Sequence, residues 1–295
     1  MRVSRTRGNA PLRLLAAALL ICLAQAAFAQ QAAVQFIRAW QPAEGRALGE
    51  LRALAYAADG AQLFVERDRG ALWRVKGDAA TPTELSGRDR PFTSSKVGGV
   101  AFLGVGRIAV ANTSNDTVAI VDDEGRTVRL FGGGGRGDGE LKNPEGLAFS
   151  AHGRLYVADR SNDRVAVYSA DGVFLATIGA ERDAPSNLSS PVQVAVDDAE
   201  RVYVLEDEGP GRLSVYSHAG RLLGRVSAEA FRGNRAARWS ALAVDHSGRA
   251  YLADKANGNI VELDWSRKQI RRRFGSPGSG RGAFDEVVAL AIAGS

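Results

Sequence analysis

The chain has 295 residues, with 38 basic and 33 acidic side chains. Four of the basic residues, Arg2, Arg5, Arg7 and Arg13, precede position 30, where no acidic residue occurs. The rest of the chain therefore carries 34 basic residues against 33 acidic ones. This near-neutral balance argues against nucleic acid or an anionic membrane surface as the partner.

Residues 1–29 have the pattern of a secretory signal peptide. A basic start is followed by an uncharged apolar run over residues 14–23 and by Ala27-Phe28-Ala29, a small-residue cleavage pattern. We predict cleavage before Gln30 and a folded domain over residues 30–295. The apolar run is shorter than the ~20 residues of a membrane-spanning helix, so no membrane span is expected.

The leader also sets the expected location. The only cysteine of the chain, Cys22, lies in it, so no disulfide is expected after cleavage. Arginine outnumbers lysine, and alanine and glycine are abundant, which is typical of a high-GC bacterial gene. The predicted location is therefore the periplasm or the medium.

A seven-residue phrase returns along the remainder of the chain. It reads Gly-Arg-Leu-Tyr-Val-Ala-Asp at residues 153–159, and related phrases end at Asn112, Glu206 and Asp254. The aromatic column of the phrase is formed by Phe64, Ala109, Tyr156, Tyr203 and Tyr251. These positions are spaced by 45, 47, 47 and 48 residues. A repeat of this period predicts four-stranded β-propeller blades.

The third unit shows the expected strands, at residues 146–149, 155–158, 164–168 and 173–178, separated by Gly, Asp and Asn. Their apolar runs do not alternate strictly with polar residues, as is typical of strands covered on both faces by neighbouring blades. A TIM barrel or a doubly wound sheet would need amphipathic helices between the strands, and the sequence contains none.

Two adjacent positions of the first strand support a ring of blades. The inner position reads Ala53, Gly99, Gly146, Gln193, Ala241 and Ala289. The preceding position reads Arg52, Gly98, Glu145, Val192, Ser240 and Val288. Most side chains in the inner column are small, which fits strands that converge on an axis, and we assign the preceding column to the mouth of the channel.

The pattern resembles the NHL repeat family, whose members form β-propellers, commonly with six blades. The resemblance rests on Asn-Pro-Glu-Gly-Leu-Ala-Phe at residues 143–149, on Tyr-Val-Ala-Asp at residues 156–159 with Asn162 and Arg164, and on residues 274–284. It covers residues 34–295 and is weakest in the first unit. It implies binding scaffolds, sensor domains and a few lyases alike.

Closure of the ring is expected to be incomplete. Five full units are followed by residues 287–292, which match the first strand of a sixth, and residues 34–39 resemble an outermost strand. We therefore predict an all-β NHL-type propeller with five full four-stranded blades and an incomplete sixth closed by the N-terminal strand. About 20 residues of middle strands are missing. Either an open ring that self-associates through unpaired edges or a gene truncated relative to its relatives would follow.

Three patterns favour structural interpretations over chemical ones. The glycine-rich run over residues 132–139 precedes another strand instead of a helix, so it is a connector and not a phosphate loop. Asp159 with Asn162 is expected to satisfy loop amides, although a calcium ion could recruit the same column of oxygens. The basic run over residues 267–273 is interpreted as a solvated blade edge.

No catalytic residue, metal ligand or cofactor is predicted. His152, His218 and His246 are expected in turns opposite the mouth, where they do not converge on a zinc site, and no nucleophilic triad is in phase with the repeat. The excursion over residues 231–239 is a candidate for recognition, because loops on rigid scaffolds commonly carry binding.

We therefore predict an exported binding scaffold that recognises a protein, peptide or small-molecule ligand at the channel mouth. The candidate contacts are Arg52, Arg67, Asn112, Glu145, Glu206, Arg238 and Trp239. The alternative is a metal-assisted lyase or hydrolase of the propeller type, with carboxylates holding calcium or zinc. A structural partner in a larger envelope assembly is a third possibility.

Overall fold

The structure, a computed structural model, describes residues 18–22, 35–40, 51–56, 60–66, 71–75, 83–85, 96–104, 106–181, 184–231, 236–278, 283–284 and 287–292. Its regular structure in these residues is almost entirely β-strand, with three short 3-10 turns at Thr113–Asn115, Arg160–Asn162 and Ala228–Ala230. None of the helices in the described ranges is long and apolar enough to cross a membrane.

Five four-stranded antiparallel sheets follow one another along the chain. Blade 1 contains Leu51–Tyr56, Gln62–Glu66, Leu72–Val75 and Thr83–Glu84. Blade 2 contains Val97–Phe102, Arg107–Asn112, Thr117–Asp122 and Thr127–Gly132. Blade 3 contains Pro144–Phe149, Arg154–Asp159, Arg164–Ser169 and Phe174–Ile178. Blade 4 contains Pro191–Val196, Val202–Glu206, Arg212–Tyr216 and Leu222–Ser227. Blade 5 contains Trp239–Val244, Ala250–Asp254, Asn259–Asp264 and Gln269–Phe274.

Blade 3 shows why this sequence forms these strands. Its second and third strands pair residue by residue from Arg154 opposite Ser169 to Asp159 opposite Arg164. The turn between them ends at Asp163, which has a φ of 55°, a conformation that Asp tolerates better than most residues. The predicted strands of this unit lie within two residues of the observed bounds, so the turn signals in the sequence located them correctly.

The blades form a ring because each packs its faces against its neighbours. The first strands of blades 1 to 5 contact one another in order, and they surround a central channel. A separate apolar cluster fills each of the four interfaces between consecutive blades. Between blades 3 and 4, for example, Tyr156 and Val204 are completely buried. The all-β propeller with five blades is thus confirmed.

The described segments near the two ends of the chain do not form the sixth blade that the sequence predicted. Residues 289–292 line the channel together with the five first strands, and Val287, Leu290 and Ile292 pack against Tyr251 of blade 5, but no strand is assigned there. Gln35–Trp40 pairs with Ala18–Cys22. The predicted closure of a sixth blade by the N-terminal strand is therefore not observed in the described residues.

Candidate functional site: the channel mouth

The mouth lies at the end of the ring where second strands finish and first strands begin. In blade 3, Pro144 at the start of the first strand is opposite Asp159 at the end of the second. The turns between second and third strands and the connectors between blades therefore meet at this face. Arg52 and Glu145, each the second residue of a first strand, lie at the rim of this face.

A chain of alternating charges crosses this mouth. Arg52 of blade 1 donates from Nη2 to Glu145 Oε2 of blade 3 at 2.7 Å. On the other side, Arg160 Nη1 lies 3.5 Å from Glu145 Oε1, and Arg160 Nη2 donates to Asp207 Oδ2 of blade 4 at 3.0 Å. The network therefore joins blades 1, 3 and 4 through four side chains.

Burial within the network is uneven. The side chain of Glu145 is 7% exposed, whereas those of Arg52 and Arg160 are 35% and 37% exposed. A carboxylate held between two guanidinium groups has its charge balanced, while each guanidinium carries five donors and uses only part of them here. The half-exposed arginines can therefore accept a further carboxylate or other acceptor-bearing group from solvent.

Glycine in blade 2 makes the crossing possible. A Cβ at Gly98 would lie 2.7 Å from Cα of Glu145, closer than side-chain and main-chain atoms approach in folded proteins. Thr113 of the same blade donates from Oγ1 to the carbonyl of Pro144 at 2.7 Å. Blade 2 therefore packs against the start of the first strand of blade 3 and leaves the position beside Glu145 free of a side chain.

The acidic column beneath the rim holds the connectors in place. Asp159 accepts hydrogen bonds from the main-chain N–H of Lys142 at 2.7 Å, from Asn162 Nδ2 and from Arg164 Nε at 2.8 Å each. Burial raises the pKa of Asp159, and these hydrogen bonds oppose the shift without cancelling it. Arg164 also donates to the carbonyls of Arg136, Gly137 and Glu140 in the glycine-rich connector. Loop support, the interpretation favoured from sequence, accounts for these contacts.

The structure places the predicted contacts in two environments. Arg52 and Glu145 meet at the rim, and the side chain of Arg238 is exposed. Glu206 is fully buried and accepts from Arg212, Ser214 and the main chain of Ser189.

The remaining predicted contacts are buried or not described. Asn112 is 1% exposed, and Trp239 is 4% exposed, with its ring packed 5.9 Å from that of Phe231. Arg67 lies outside the described residues. The residues that are brought together at the rim are thus Arg52 and Glu145.

Sequence reasoning missed two members of the network, Arg160 and Asp207. Both directly follow the acidic column of the repeat, after Asp159 and Glu206. The same register places Lys255 after Asp254 in blade 5. Comparing the residue one step beyond the acidic column would have identified these rim positions, because that residue opens the turn at the mouth.

The structure gives no support for a metal centre in the part of the chain that it describes. No group of three or more His, Cys, Asp or Glu side chains there could hold a metal ion. His152, His218 and His246 lie in turns at the opposite face, and His152 Nδ1 is 3.2 Å from Glu200 Oε1. The predicted lyase or hydrolase alternative therefore finds no ligand set among these residues.

Comparison with known proteins supports the repeat assignment. Residues 141–168, which contain the first three strands of blade 3 up to Tyr168, match the family model of the NHL repeat. The matched segment, residues 141–168, is an NHL repeat. Asp159, Asn162 and Arg164 lie inside this segment. Blade 5 reproduces one of their contacts, because Asn257 Nδ2 donates to Asp254 Oδ2 at 2.8 Å. No curated protein sequence matches the chain significantly.

Several solved structures are similar to the chain that contains this NHL repeat. A chain in the crystal structure of a nidogen/laminin complex is 18% identical, with a TM-score of 0.57 over 77% of this chain and 80% of that chain. A streptogramin B lyase is 14% identical, with a TM-score of 0.58 over 77% and 69%. Virginiamycin B lyase from Staphylococcus aureus is 11% identical, with a TM-score of 0.57 over 78% and 71%. At these identities the similarity shows the fold alone.

Proposed function

We propose that this chain is an exported β-propeller scaffold that binds a protein, peptide or small-molecule ligand at the channel mouth. The carrying observation is the network from Arg52 through Glu145 and Arg160 to Asp207, which places two half-exposed guanidinium groups on one rim. Such groups bind carboxylates through charge-assisted hydrogen bonds. The ligand class that fits is one that presents carboxylates, such as an acidic peptide segment.

The rigidity of the ring favours binding of a ligand. The rim residues stand at the ends of strands whose interiors are packed on both sides, so their positions are held before a ligand arrives, which lowers the entropic cost of association. One of the similar solved chains belongs to a nidogen/laminin complex, a structure of one protein bound to another. The proposal extends this kind of use to the mouth of the present propeller.

Binding of a labelled hexaglutamate peptide tests the proposal, with hexaglutamine as the uncharged probe. We expect fluorescence anisotropy to report binding of hexaglutamate alone and weakening at higher salt. The variants Arg52→Gln and Arg160→Gln should each bind it about tenfold more weakly, equivalent to ~1.4 kcal/mol. Arg273→Gln is the control, because Arg273 is exposed in the other basic region, on the outermost strand of blade 5. Absence of binding, or a loss confined to Arg273→Gln, would refute the proposed site.

We also propose that residues 287–292 form the inner strand of a sixth blade that Gln35–Trp40 closes after export. In support, residues 289–292 line the channel alongside the five first strands, and Ser240 Oγ donates to the carbonyl of Val287 at 3.0 Å. Cleavage before Gln30 would remove Ala18–Cys22, the strand that pairs with Gln35–Trp40. An unpaired edge that remains in this blade would favour self-association.

Hydrogen exchange on the precursor and on the cleaved protein tests this closure. Amides of residues 287–292 should become protected once the leader is removed, and those of residues 35–40, which pair with Ala18–Cys22 in the precursor, should stay protected, since both segments would enter one sheet. Light scattering over a range of protein concentrations should report any self-association. Unchanged exchange of residues 287–292 in the cleaved protein would argue against closure by the N-terminal strand.

A further inference from the structure

The half of the channel away from the mouth is lined by two adjacent positions of the first strands. Each position holds similar residues in all five blades and in residues 287–292. A ring of alanines is formed by Ala55, Ala101, Ala148, Ala195, Ala243 and Ala291. The next residue along each segment forms a ring of large apolar side chains: Tyr56, Phe102, Phe149, Val196, Val244 and Ile292. Because each first strand starts at the mouth, this second ring lies at the opposite end of the channel.

These rings line one part of an open channel cavity of about 240 Å³, which is lined nearer the mouth by Gly98, Gly99 and Gln193. Alanine side chains are short, and those of Ala101 and Ala148 pack against the clusters between blades, so the alanine ring leaves the channel open. None of the described residues that line the cavity is charged, and Arg52 and Glu145 of the mouth are not among them. The cavity is therefore chemically distinct from the charged rim at the other end.

The large apolar ring is asymmetric. Tyr56, Phe102 and Phe149 come from the consecutive blades 1, 2 and 3, and all three are partly exposed. Blades 4 and 5 contribute Val196 and Val244 on the other arc. Three adjacent aromatic side chains favour edge-to-face or offset contacts with another aromatic ring. The arrangement therefore favours a planar aromatic ligand over a non-planar one.

The wall also offers hydrogen bonds. In all five blades the first strand is the edge of its sheet, so its channel-side N–H and C=O groups lie outside the ladder. Gln193 Oε1 accepts from the main-chain N–H of Leu242 at 2.6 Å, which satisfies one of them. A ligand with a donor or acceptor at its edge can pair with others, whereas a pure hydrocarbon would leave them unsatisfied.

The volume of the cavity limits the class of ligand further. A dry cavity of ~150 Å³ accommodates benzene, and each liquid water needs ~30 Å³. A cavity of about 240 Å³ therefore accommodates one or two fused rings. We propose that the end of the channel opposite the mouth is a second binding site, for a neutral one- or two-ring aromatic molecule with a hydrogen-bonding group at its edge.

Indole is a suitable probe, and calorimetric titration of the purified protein is the first experiment. The variants Ala148→Leu and Ala291→Leu add a branched side chain to the alanine ring from two separate segments, and each should weaken indole binding at least tenfold. Leu130→Ser is the matched control, because Leu130 is 54% exposed on the outermost strand of blade 2. It should bind indole as the unaltered protein does.

A second measurement does not depend on variants that fold. With alanine methyl groups labelled with carbon-13, indole should shift the resonances of the ring alanines, Ala148 and Ala291 among them, and leave alanines that do not line the cavity unchanged. Saturation of these shifts at the calorimetric affinity would support the site. Absence of binding at millimolar indole, shifts confined to alanines that do not line the cavity, or equal affinity in folded Ala148→Leu and Leu130→Ser proteins would overturn it.

Discussion

Arg52 and Glu145 are 93 positions apart in the chain, yet Arg52 Nη2 lies 2.7 Å from Glu145 Oε2 across the channel mouth. Blade 2 separates their blades in the sequence, and only the ring brings the two residues together. Arg107 and Asp171 form a pair of the same length on the outside of blades 2 and 3. The two arginines are equally exposed at 35%, whereas Glu145 is 7% and Asp171 76% exposed.

This contrast predicts different coupling energies in double-mutant cycles. For Arg52→Met and Glu145→Gln we expect a coupling of ~0.5–2 kcal/mol, because one partner is shielded from water and the other only partly. For Arg107→Met and Asp171→Asn we expect about 0–0.5 kcal/mol. Chemical denaturation of the single and double variants measures both. Equal couplings would mean that the mouth does not differ from an ordinary surface pair.

Removal of the buried carboxylate of blade 3 should destabilise the protein far more than the loss of either of these ion pairs. Asp159 is completely buried, and the side chain of its partner Arg164 is only 6% exposed. Asp159→Ala leaves Arg164 Nε and the N–H of Lys142 without their acceptor, and it leaves the buried guanidinium without a carboxylate, so the free energy of unfolding should fall by ~3–5 kcal/mol. Asp198→Ala, at an exposed position of blade 4, should change it by less than about 0.5 kcal/mol. Similar losses in the two variants would contradict this account.

Close packing at the axis predicts a steric effect at Gly146. A Cβ there would lie 2.7 Å from Cα of Gln193 in the next blade. Gly146→Ala should therefore separate blades 3 and 4 and cost ~2–3 kcal/mol or more, within the range seen for overpacked cores. Gly153→Ala is the comparison, since its Cβ would meet nothing within 4 Å but its φ is 79°. Thermal melts should show a loss of ~1–2 kcal/mol there, from backbone strain alone.

Buried tyrosines predict a steep alkaline transition. Burial raises the pKa of Tyr216 and that of Tyr251 to about 12 each, and it also raises those of Tyr156, Tyr168 and Tyr203. A raised pKa in the folded state gives stability that is complete below the unfolded value of ~10 and is lost as the pH rises towards the folded value.

Absorbance at 295 nm, recorded together with circular dichroism, tests this expectation. Most tyrosines should ionise in the same narrow pH interval in which the secondary structure is lost. Gradual ionisation near pH 10 with the fold retained would show that the phenols are accessible. A protein unfolded in urea should titrate near pH 10 and provides the reference.

The last prediction concerns cleavage of the leader. The mature chain should begin at Gln30, because Ala27 and Ala29 supply the small residues before the cleavage bond. N-terminal sequencing and intact mass of the exported protein measure this directly. A retained leader, or a fatty acid on Cys22, would require a different location.

The interior of each blade was predictable from local signals. Tyr156, Tyr203 and Tyr251 were aligned as one column from their spacing, and all three are buried. Tyr156 and Tyr203 lie between blades, and Tyr251 lies against residues 287–292. Asp159 with Asn162 was expected in a tight turn, and their hydrogen bond at 2.8 Å lies in such a turn. These features depend on strand alternation and turn chemistry within a few residues, which recur in every unit.

The partners across the channel were decided only by the tertiary structure. The repeat placed Arg52 and Glu145 in one column at the mouth, but it did not pair them, and Arg160 was not recognised as the second partner of Glu145. Which rim side chains meet depends on the rotation between blades and on the absence of a side chain at Gly98. The spacing of the repeat in the sequence encodes neither of these. The sequence by itself thus determined the blades and their buried columns, while the packing of the blades around the channel determined which rim side chains meet.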